Sequence, residues 1–349
     1  MRRLLALLAV AVCVTVCSGA TASAAPAEDE LAPYVHPQQM VDVGGHKLNL
    51  YCTGSGSPSV ILDAGGGETM STWHKVQPAI AKFTRVCSFD RASMGFSTDG
   101  PLPRDANAMV TDLHALLQRA KIAPPYVLVG HSSGGLYAQV YADRYLQEVA
   151  GMVLVDPSFP NQTVALEAAS PALKRMDAQG GAEYTFCYNA AVHGELNFSH
   201  ASKEYALCGF PPNAEADLKA GCAKNGASWC KMQHLTLERV LRPAFWLALG
   251  SEEKESARTD SAEDMKKQRS YGAIPLIVLT AADEMLGSPF PPAENRAVER
   301  AWTDGHVRVA QLSSVGVHTV VPHSGHFIHI DQPAVVIDAI AKVVSQAKH

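Results

Sequence analysis

The stretch "VLVGHSSGG", residues 127–135, joins a short apolar run to a turn rich in glycine. The apolar residues do not alternate with polar ones, which is typical of a strand buried on both faces of a parallel sheet. Gly130 and Gly134 flank Ser132 in the pattern G-x-S-x-G, and a helical pattern resumes directly afterwards. Because glycine has no Cβ, the backbone can turn sharply on both sides of the serine. The stretch therefore predicts a strand, a strained turn and a helix, with the Ser132 hydroxyl held clear of the sheet edge.

Similar apolar runs recur along the chain and alternate with helical patterns. Strands are predicted at Lys47–Tyr51, Val60–Asp63, Arg85–Phe89, Tyr126–Val129, Met152–Val155, Leu276–Thr280 and Val317–Val321. Apolar residues at helical spacing mark one helix around Leu113 and a last helix around Ile340. This alternation predicts the α/β class, with a mostly parallel central sheet covered by helices on both faces.

The alternation stops between Asp156 and Ile274, where glycines, polar residues and mixed helical segments occur. We interpret this stretch as an insertion between two strands of one sheet. The predicted organisation is a core formed by residues 25–156 and 274–349, with a helical cap at residues 157–273.

Composition narrows the class of protein. The chain has 349 residues, of which 47% are hydrophobic and 18% charged, as in ordinary globular proteins. Its formal charge is −5 and no basic stripe is present, so nucleic acid is not an expected partner.

Residues 1–24 resemble a secretory signal peptide. Two arginines precede an apolar run from Leu4 to Val16, which is short for a membrane span, and Ala22-Ser23-Ala24 supplies an A-x-A cleavage site. We therefore expect a secreted or periplasmic protein without stable membrane insertion. A retained anchor is the alternative.

Six cysteines remain after removal of such a leader, and an even number in an exported chain predicts disulfides. They are Cys52, Cys87, Cys187, Cys208, Cys222 and Cys230. Four lie between positions 187 and 230 without the paired spacing of a zinc site, and their connectivity is left open.

A serine nucleophile requires a base, which we expect to be a histidine near the C-terminus. His326, in "VVPHSGHFIHIDQP" (residues 320–333), lies in a loop between the last predicted strand and the last helix. His323 and His329 are its rivals. A metal site among these three is not expected, because no cysteine or pair of carboxylates stands near them.

In combination, five segments resemble the α/β-hydrolase-fold serine hydrolases. They are "VILDAGGGETMSTW", "TRVCSFDRASMGFS", "YVLVGHSSGGLYAQVYA", "GMVLVDPS" and "SGHFIHIDQP", in the order and at the spacing of that family. The resemblance covers most of the chain outside the cap. It implies an esterase-like serine hydrolase, which the predicted signal peptide would export, although one fold supports many reactions.

The resemblance also implies an oxyanion hole formed by the backbone amides of Gly66 and Ser133. Ala64 stands where the family usually has histidine, so the usual anchoring of this loop is altered. The family's sheet order places the strands of Cys52 and Cys87 side by side, which implies a disulfide between them. Asp90 and Arg91 are interpreted as a structural turn beside the site.

In the family, the acid that orients the histidine follows either of two strands. Asp156 ends the strand after the elbow helix, and Asp283 follows the strand beyond the cap. After the second of these strands, the family's motif is a glycine, two further residues and then the acid. Ala281 replaces that glycine here, and the same spacing would place Glu284, not Asp283, at the acid position. We therefore predict Asp156, with Asp283 as the alternate acid.

The expected function is hydrolysis of carboxylic esters of small or medium substrates through Ser132, His326 and Asp156, without metal or organic cofactor. An amidase or aminopeptidase using the same residues is the alternative. A secreted binding protein on the same scaffold is a second alternative. The sequence does not decide the natural substrate, acyl length or oligomeric state.

Overall fold

The structure is a computed structural model that describes residues 28–177, 181–256, 269–283 and 290–347. The predicted signal peptide at residues 1–24 lies outside the described residues. No helix within the described ranges combines the length and apolar character needed to cross a bilayer.

One eight-stranded sheet forms the centre of the fold. Its strands are β1 (Gln39–Asp42), β2 (Lys47–Thr53), β3 (Ser59–Asp63), β4 (Val86–Phe89), β5 (Tyr126–His131), β6 (Val149–Val155), β7 (Leu276–Ala281) and β8 (Val317–Val321). They lie in the order β1-β2-β4-β3-β5-β6-β7-β8. β2 pairs antiparallel with β1 and with β4, and every later pairing is parallel. The mostly parallel α/β sheet predicted from the sequence is confirmed.

No helix separates β1, β2 and β3, and from β3 onward one or more helices lie between successive strands. The described α-helices are α1 (Glu28–Leu31), α2 (Gln77–Ile80), α3 (Ala106–Arg119), α4 (Ser133–Tyr145), α5 (Gln162–Ala169), α6 (Pro171–Asp177), α7 (Ala182–Val192), α8 (Ala214–Asn225), α9 (Ala227–Val240), α10 (Pro243–Ser256), α11 (Pro292–Ala310), α12 (Ile328–Asp331) and α13 (Pro333–Gln346).

Two apolar clusters cover the two faces of the sheet and explain the unbroken apolar runs. Along β5, Tyr126 and Leu128 belong to the cluster formed with α3, α4 and α11, whereas Val127 and Val129 belong to the cluster formed with α2 and α13. Successive side chains of a strand point to opposite faces, so a strand covered on both faces is apolar at every position.

The seven predicted strands are present, and β1 was not predicted. This edge strand has four residues, of which Val41 alone is buried, so it gives no apolar run. β5 continues two residues beyond the predicted end, because Gly130 and His131 still pair with Leu154 and Val155 of β6.

In the part of the stretch interpreted as the cap that the structure describes, six α-helices, α5 to α10, lie between β6 and β7. Leu166 of α5 and Leu173 of α6 join the main core. A separate apolar cluster includes Cys187 of α7 and Trp246 of α10, together with Met94 from the loop after β4. The second half of the insertion therefore has its own small core and packs against the sheet domain at that loop.

Three disulfides link the six cysteines. Cys52 and Cys87 face each other across β2 and β4, which confirms the implied pairing. The connectivity left open by the sequence is Cys187–Cys208 and Cys222–Cys230, and the second bridge ties α8 to α9.

Candidate active site

Ser132 occupies the sharp turn between β5 and α4, with φ 52° and ψ −121°. The glycines around it are required by close backbone packing. A Cβ at position 130 would lie 2.3 Å from the Gly134 carbonyl oxygen, and one at position 134 would lie 2.6 Å from the Ala64 oxygen. A non-glycine residue with positive φ is strained, and such strain concentrates at functional sites.

Backbone hydrogen bonds hold the serine against the end of the neighbouring strand. The Ser132 N–H donates to the Val155 oxygen at 3.1 Å, and the Ser132 carbonyl accepts from the Ser158 N–H at 2.8 Å. The side chain of Ser132 is half-buried. Ser132 follows the end of β5, and the residue after Val155 follows the end of the neighbouring strand β6.

That residue is Asp156, which is fully buried and contacts His326. The His326 Nδ1 lies 2.7 Å from Asp156 Oδ2, while Asp156 Oδ1 accepts hydrogen bonds from the Ala281 N–H at 2.9 Å and from Trp302 Nε1 at 3.1 Å. Burial alone would raise the pKa of Asp156, but the hydrogen bond and the positive charge offered by His326 hold it well below its ordinary value. Asp156 therefore holds the Nδ1 side of the His326 ring.

The alternate acid and the two other candidate histidines occupy different positions from Asp156 and His326. Asp283 is exposed, and its backbone N–H donates to the Ser324 oxygen at 3.0 Å. His323 is exposed, whereas His329 is fully buried and packs against Trp73 with ring centroids 4.7 Å apart. The structure therefore brings Asp156, and not Asp283, to His326; Glu284 lies outside the described residues.

The glycine loop after β3 adjoins the start of α4. A Cβ at Gly66 would lie 3.7 Å from Ser133 Oγ, so the two residues predicted to donate oxyanion amides are neighbours. Such amides near a helix start favour negative charge.

Arg91 anchors this loop, which lacks the usual histidine. Its buried guanidinium donates to the Ala64 oxygen at 2.5 Å and to the Gly65 oxygen at 2.6 Å. The same group pairs with Asp63 at 2.9 Å and with Glu252 of α10 at 2.7 Å. Arg91 is thus more than a structural turn, because it ties the loop to α10.

Two carboxyl groups of α10, absent from the sequence predictions, face the site. Glu252 is fully buried and accepts hydrogen bonds from Ser133 Oγ at 3.3 Å and from the Tyr137 hydroxyl at 3.1 Å. Glu253 Oε1 lies 2.3 Å from where a Cβ at Gly66 would stand. Burial, reinforced by the negative charge of Glu252, raises the pKa of Glu253 to about 8.

A buried network behind the site was also not predicted. Glu68 Oε2 accepts from the Gly65 N–H at 2.6 Å and lies 2.8 Å from His131 Nδ1. His131 Nε2 lies 3.0 Å from the His326 carbonyl oxygen. Burial would raise the pKa of Glu68, but the charge and hydrogen bond of His131 lower it well below its ordinary value. The network therefore joins the glycine loop to the histidine loop.

Glu68, His131 and His329 offer donor atoms that lie within 4.8 Å of one another, as a metal site would require. The Glu68 and His131 atoms are already engaged in short hydrogen bonds with protein groups, and His329 Nε2 lies 2.6 Å from Thr72 Oγ1. We interpret the group as a positioning network between two loops.

The strand order, the elbow at the end of β5 and the His326 loop after β8 define an α/β hydrolase. The sequence matches the model of the alpha/beta hydrolase family over residues 60–339, and the chain belongs to this family.

Its relatives are distant. The uncharacterized protein YqjL of Bacillus subtilis is 23% identical over 291 residues, which span 83% of this chain and 85% of YqjL. The chain spans less than half the length of other curated relatives that it matches.

Solved structures of several hydrolases share the fold. A thermophilic esterase from Thermogutta terrifontis has a TM-score of 0.54 at 19% identity, covering 88% of this chain and 98% of its own. The enol-lactonase from Burkholderia xenovorans has a TM-score of 0.55 at 16% identity, covering 88% and 100%. Hydrolases are thus among the structural neighbours of this family member.

Proposed function

We propose that this hydrolase cleaves carboxylic esters of small or medium substrates through a serine nucleophile and an acyl-enzyme. The observation that carries the proposal is the strained Ser132 elbow, held against β6, whose next residue, Asp156, is bonded to His326. Family members with epoxide or haloalkane substrates use an aspartate nucleophile at the elbow, and this chain has serine there.

In the proposed mechanism, Ser132 Oγ attacks the acyl carbonyl carbon while His326 Nε2 accepts the hydroxyl proton. Asp156 holds the opposite ring nitrogen and balances the imidazolium charge. The amides of Gly66 and Ser133 stabilise the oxyanion, and losing one such donor typically costs ~3 kcal/mol of barrier lowering. His326 then protonates the leaving alcohol, and water activated by the same ring cleaves the acyl-enzyme to release the acid.

Substrate class is tested with p-nitrophenyl esters of increasing acyl length against matched p-nitroanilides. We expect ester kcat/KM to exceed anilide kcat/KM by at least about 100-fold for the same acyl group, which corresponds to ~2.7 kcal/mol in the barrier. Anilides cleaved as well as esters would indicate an amidase or aminopeptidase. Turnover of neither class would favour the binding-protein alternative.

The proposed location is extracytoplasmic. The three disulfides are consistent with an oxidising compartment, and the signal-peptide pattern at residues 1–24 predicts export. Detection of the mature chain outside the cytoplasmic fraction is the corresponding measurement.

Glu253 gives the proposed reaction an expected pH dependence. The carboxyl is neutral below its pKa of about 8 and ionises above it, so that a negative charge then lies beside Gly66. Glu252 and Arg91, whose charges also act on Glu253, form an ion pair with each other. Because a like charge beside the oxyanion disfavours the transition state, kcat/KM should fall roughly tenfold between pH 7 and pH 9.5.

The Glu253→Gln variant should remove this alkaline decline, since the amide stays neutral. Glu215→Gln, on the exposed surface of α8 and paired there with Lys219, is the matched control and should keep it. If kcat/KM of Glu253→Gln declined at alkaline pH as in the parent protein, the decline would have to be assigned to another titrating group.

A further inference from the structure

A pocket of about 200 Å³ lies between α9 of the cap and the loops that follow β3 and β4. Its lining includes the apolar side chains of Met70, Phe96, Met232 and Leu235, and none of the proposed catalytic or oxyanion residues. The pocket therefore has an apolar wall and is separate from the set of groups used in the proposed hydrolysis.

Arg239 supplies a positive charge to this lining. It is 8% exposed, and its guanidinium lies 5.1 Å above the Phe245 ring. Within the described part of the chain, Arg239 forms no ion pair with a carboxylate, and its Nε has no hydrogen-bond partner. Burial lowers the pKa of Arg239 to about 10, partly offset by Asp90 and Glu68. A buried charge without a bonded partner is costly, so the arrangement favours an external anion.

Asp90 is an acidic residue of the pocket lining, and its carboxylate is already bonded to protein donors. Asp90 accepts hydrogen bonds from the Met70 N–H at 2.9 Å, from Asn49 Nδ2 at 2.9 Å and from the Phe96 N–H at 3.1 Å. Burial, opposed by these bonds, raises the pKa of Asp90.

The other charged groups near Arg239 form no ion pair with it within the described residues. Glu68 is bonded to His131 and to the Gly65 amide. Glu238 is exposed at the rim, and Arg242, a second cation of the pocket, pairs with Asp99 on the surface. Arg239 therefore remains available to a ligand.

We propose that this pocket binds a small aliphatic carboxylate, with the anionic head on Arg239 and the alkyl chain against the apolar wall. The planar guanidinium can bind a carboxylate through two parallel hydrogen bonds. The pocket is smaller than the 300–1,000 Å³ common for drug-sized ligands, which limits the occupant to a short chain. The proposal does not depend on the identity of the nucleophile.

The test is calorimetric titration of the full folded protein with sodium hexanoate, using 1-hexanol and hexylamine as probes of equal chain length. Hexanoate should bind, and hexylamine should not. Arg239→Gln should weaken hexanoate binding at least tenfold, or ~1.4 kcal/mol. Arg308→Gln, an exposed arginine that also lies over a phenylalanine ring, is the matched control and should bind as the parent does.

A second variant keeps the test decisive if Arg239→Gln does not fold. Leu235→Trp fills the pocket without changing its charge and should also abolish binding. Hexanoate binding that survives both substitutions, or its absence from the parent protein, would overturn the proposal. Competitive inhibition of ester hydrolysis by hexanoate would indicate that the bound anion is part of the substrate or product. Binding without competition would indicate that the anion is a free effector. Both results agree with an anion site in the pocket.

Discussion

Replacing Ser132 with alanine should lower kcat for p-nitrophenyl acetate by at least about 10⁴-fold, with the fold intact. In a serine hydrolase the loss of the nucleophile alone can cost ~10⁶ in kcat, because the base and acid act only through it. Alanine at position 132 would experience the same positive φ as serine and lose one hydroxyl, so circular dichroism and the melting temperature should change little.

Ser93→Ala provides the matched control. Ser93 is also a serine with positive φ, 67°, but it is buried in the turn after β4. It should retain the parent's turnover within about twofold. A Ser132→Ala protein that keeps more than a tenth of the parent's kcat would contradict the assignment of Ser132 as nucleophile.

A second large loss of activity is expected when the proposed triad acid, Asp156, is replaced. Asp156→Asn should lower kcat about 10⁴-fold, because an amide in place of the carboxylate selects the wrong imidazole tautomer and leaves the imidazolium without its counter-charge. Asparagine is nearly isosteric, and its oxygen can still accept from the Ala281 N–H and from Trp302 Nε1. A loss of activity without loss of melting temperature would therefore report on chemistry.

Asp283→Asn is the control for this substitution, since Asp283 is exposed on the loop beyond β7. It should leave kcat and KM within about twofold of the parent values. The opposite result, an active Asp156→Asn and an inactive Asp283→Asn, would move the acid to the second of the two positions used in the family.

The strands of the sheet could be predicted because each has a recognisable pattern in its own short stretch of sequence. Tyr126–Val129 and Met152–Val155 are apolar at every position, and this pattern follows directly from burial on two faces. β1 escaped prediction because an edge strand with one buried residue leaves almost no pattern. The pairing of the four clustered cysteines could not be derived, since it depends on how α7, α8 and α9 pack in three dimensions.

The site was predictable only where the chain carries a local signature. The turn around Ser132 and the loop around His326 are marked by glycines at their flanks. The choice between Asp156 and Asp283 depended on which carboxylate contacts His326. Asp156 is 170 positions from His326 in sequence and Asp283 is 43 positions away, and only the folded chain shows which of them is close in space.

Glu252, Glu253 and Arg239 have no signature in the sequence. They belong to helices of the insertion, and a charged residue in a helix is ordinarily on a solvated face. Their burial results from the docking of α9 and α10 on the loops after β3 and β4. Glu68 was missed for a related reason: its partner His131 is 63 positions away.

Labelling with a fluorophosphonate, followed by peptide mapping of the adduct, directly tests the assignment of Ser132 as the nucleophile. We expect one phosphonyl group per folded chain, attached to the Ser132 hydroxyl and absent from the Ser132→Ala protein. Labelling of another residue, or undiminished labelling of Ser132→Ala, would contradict this assignment.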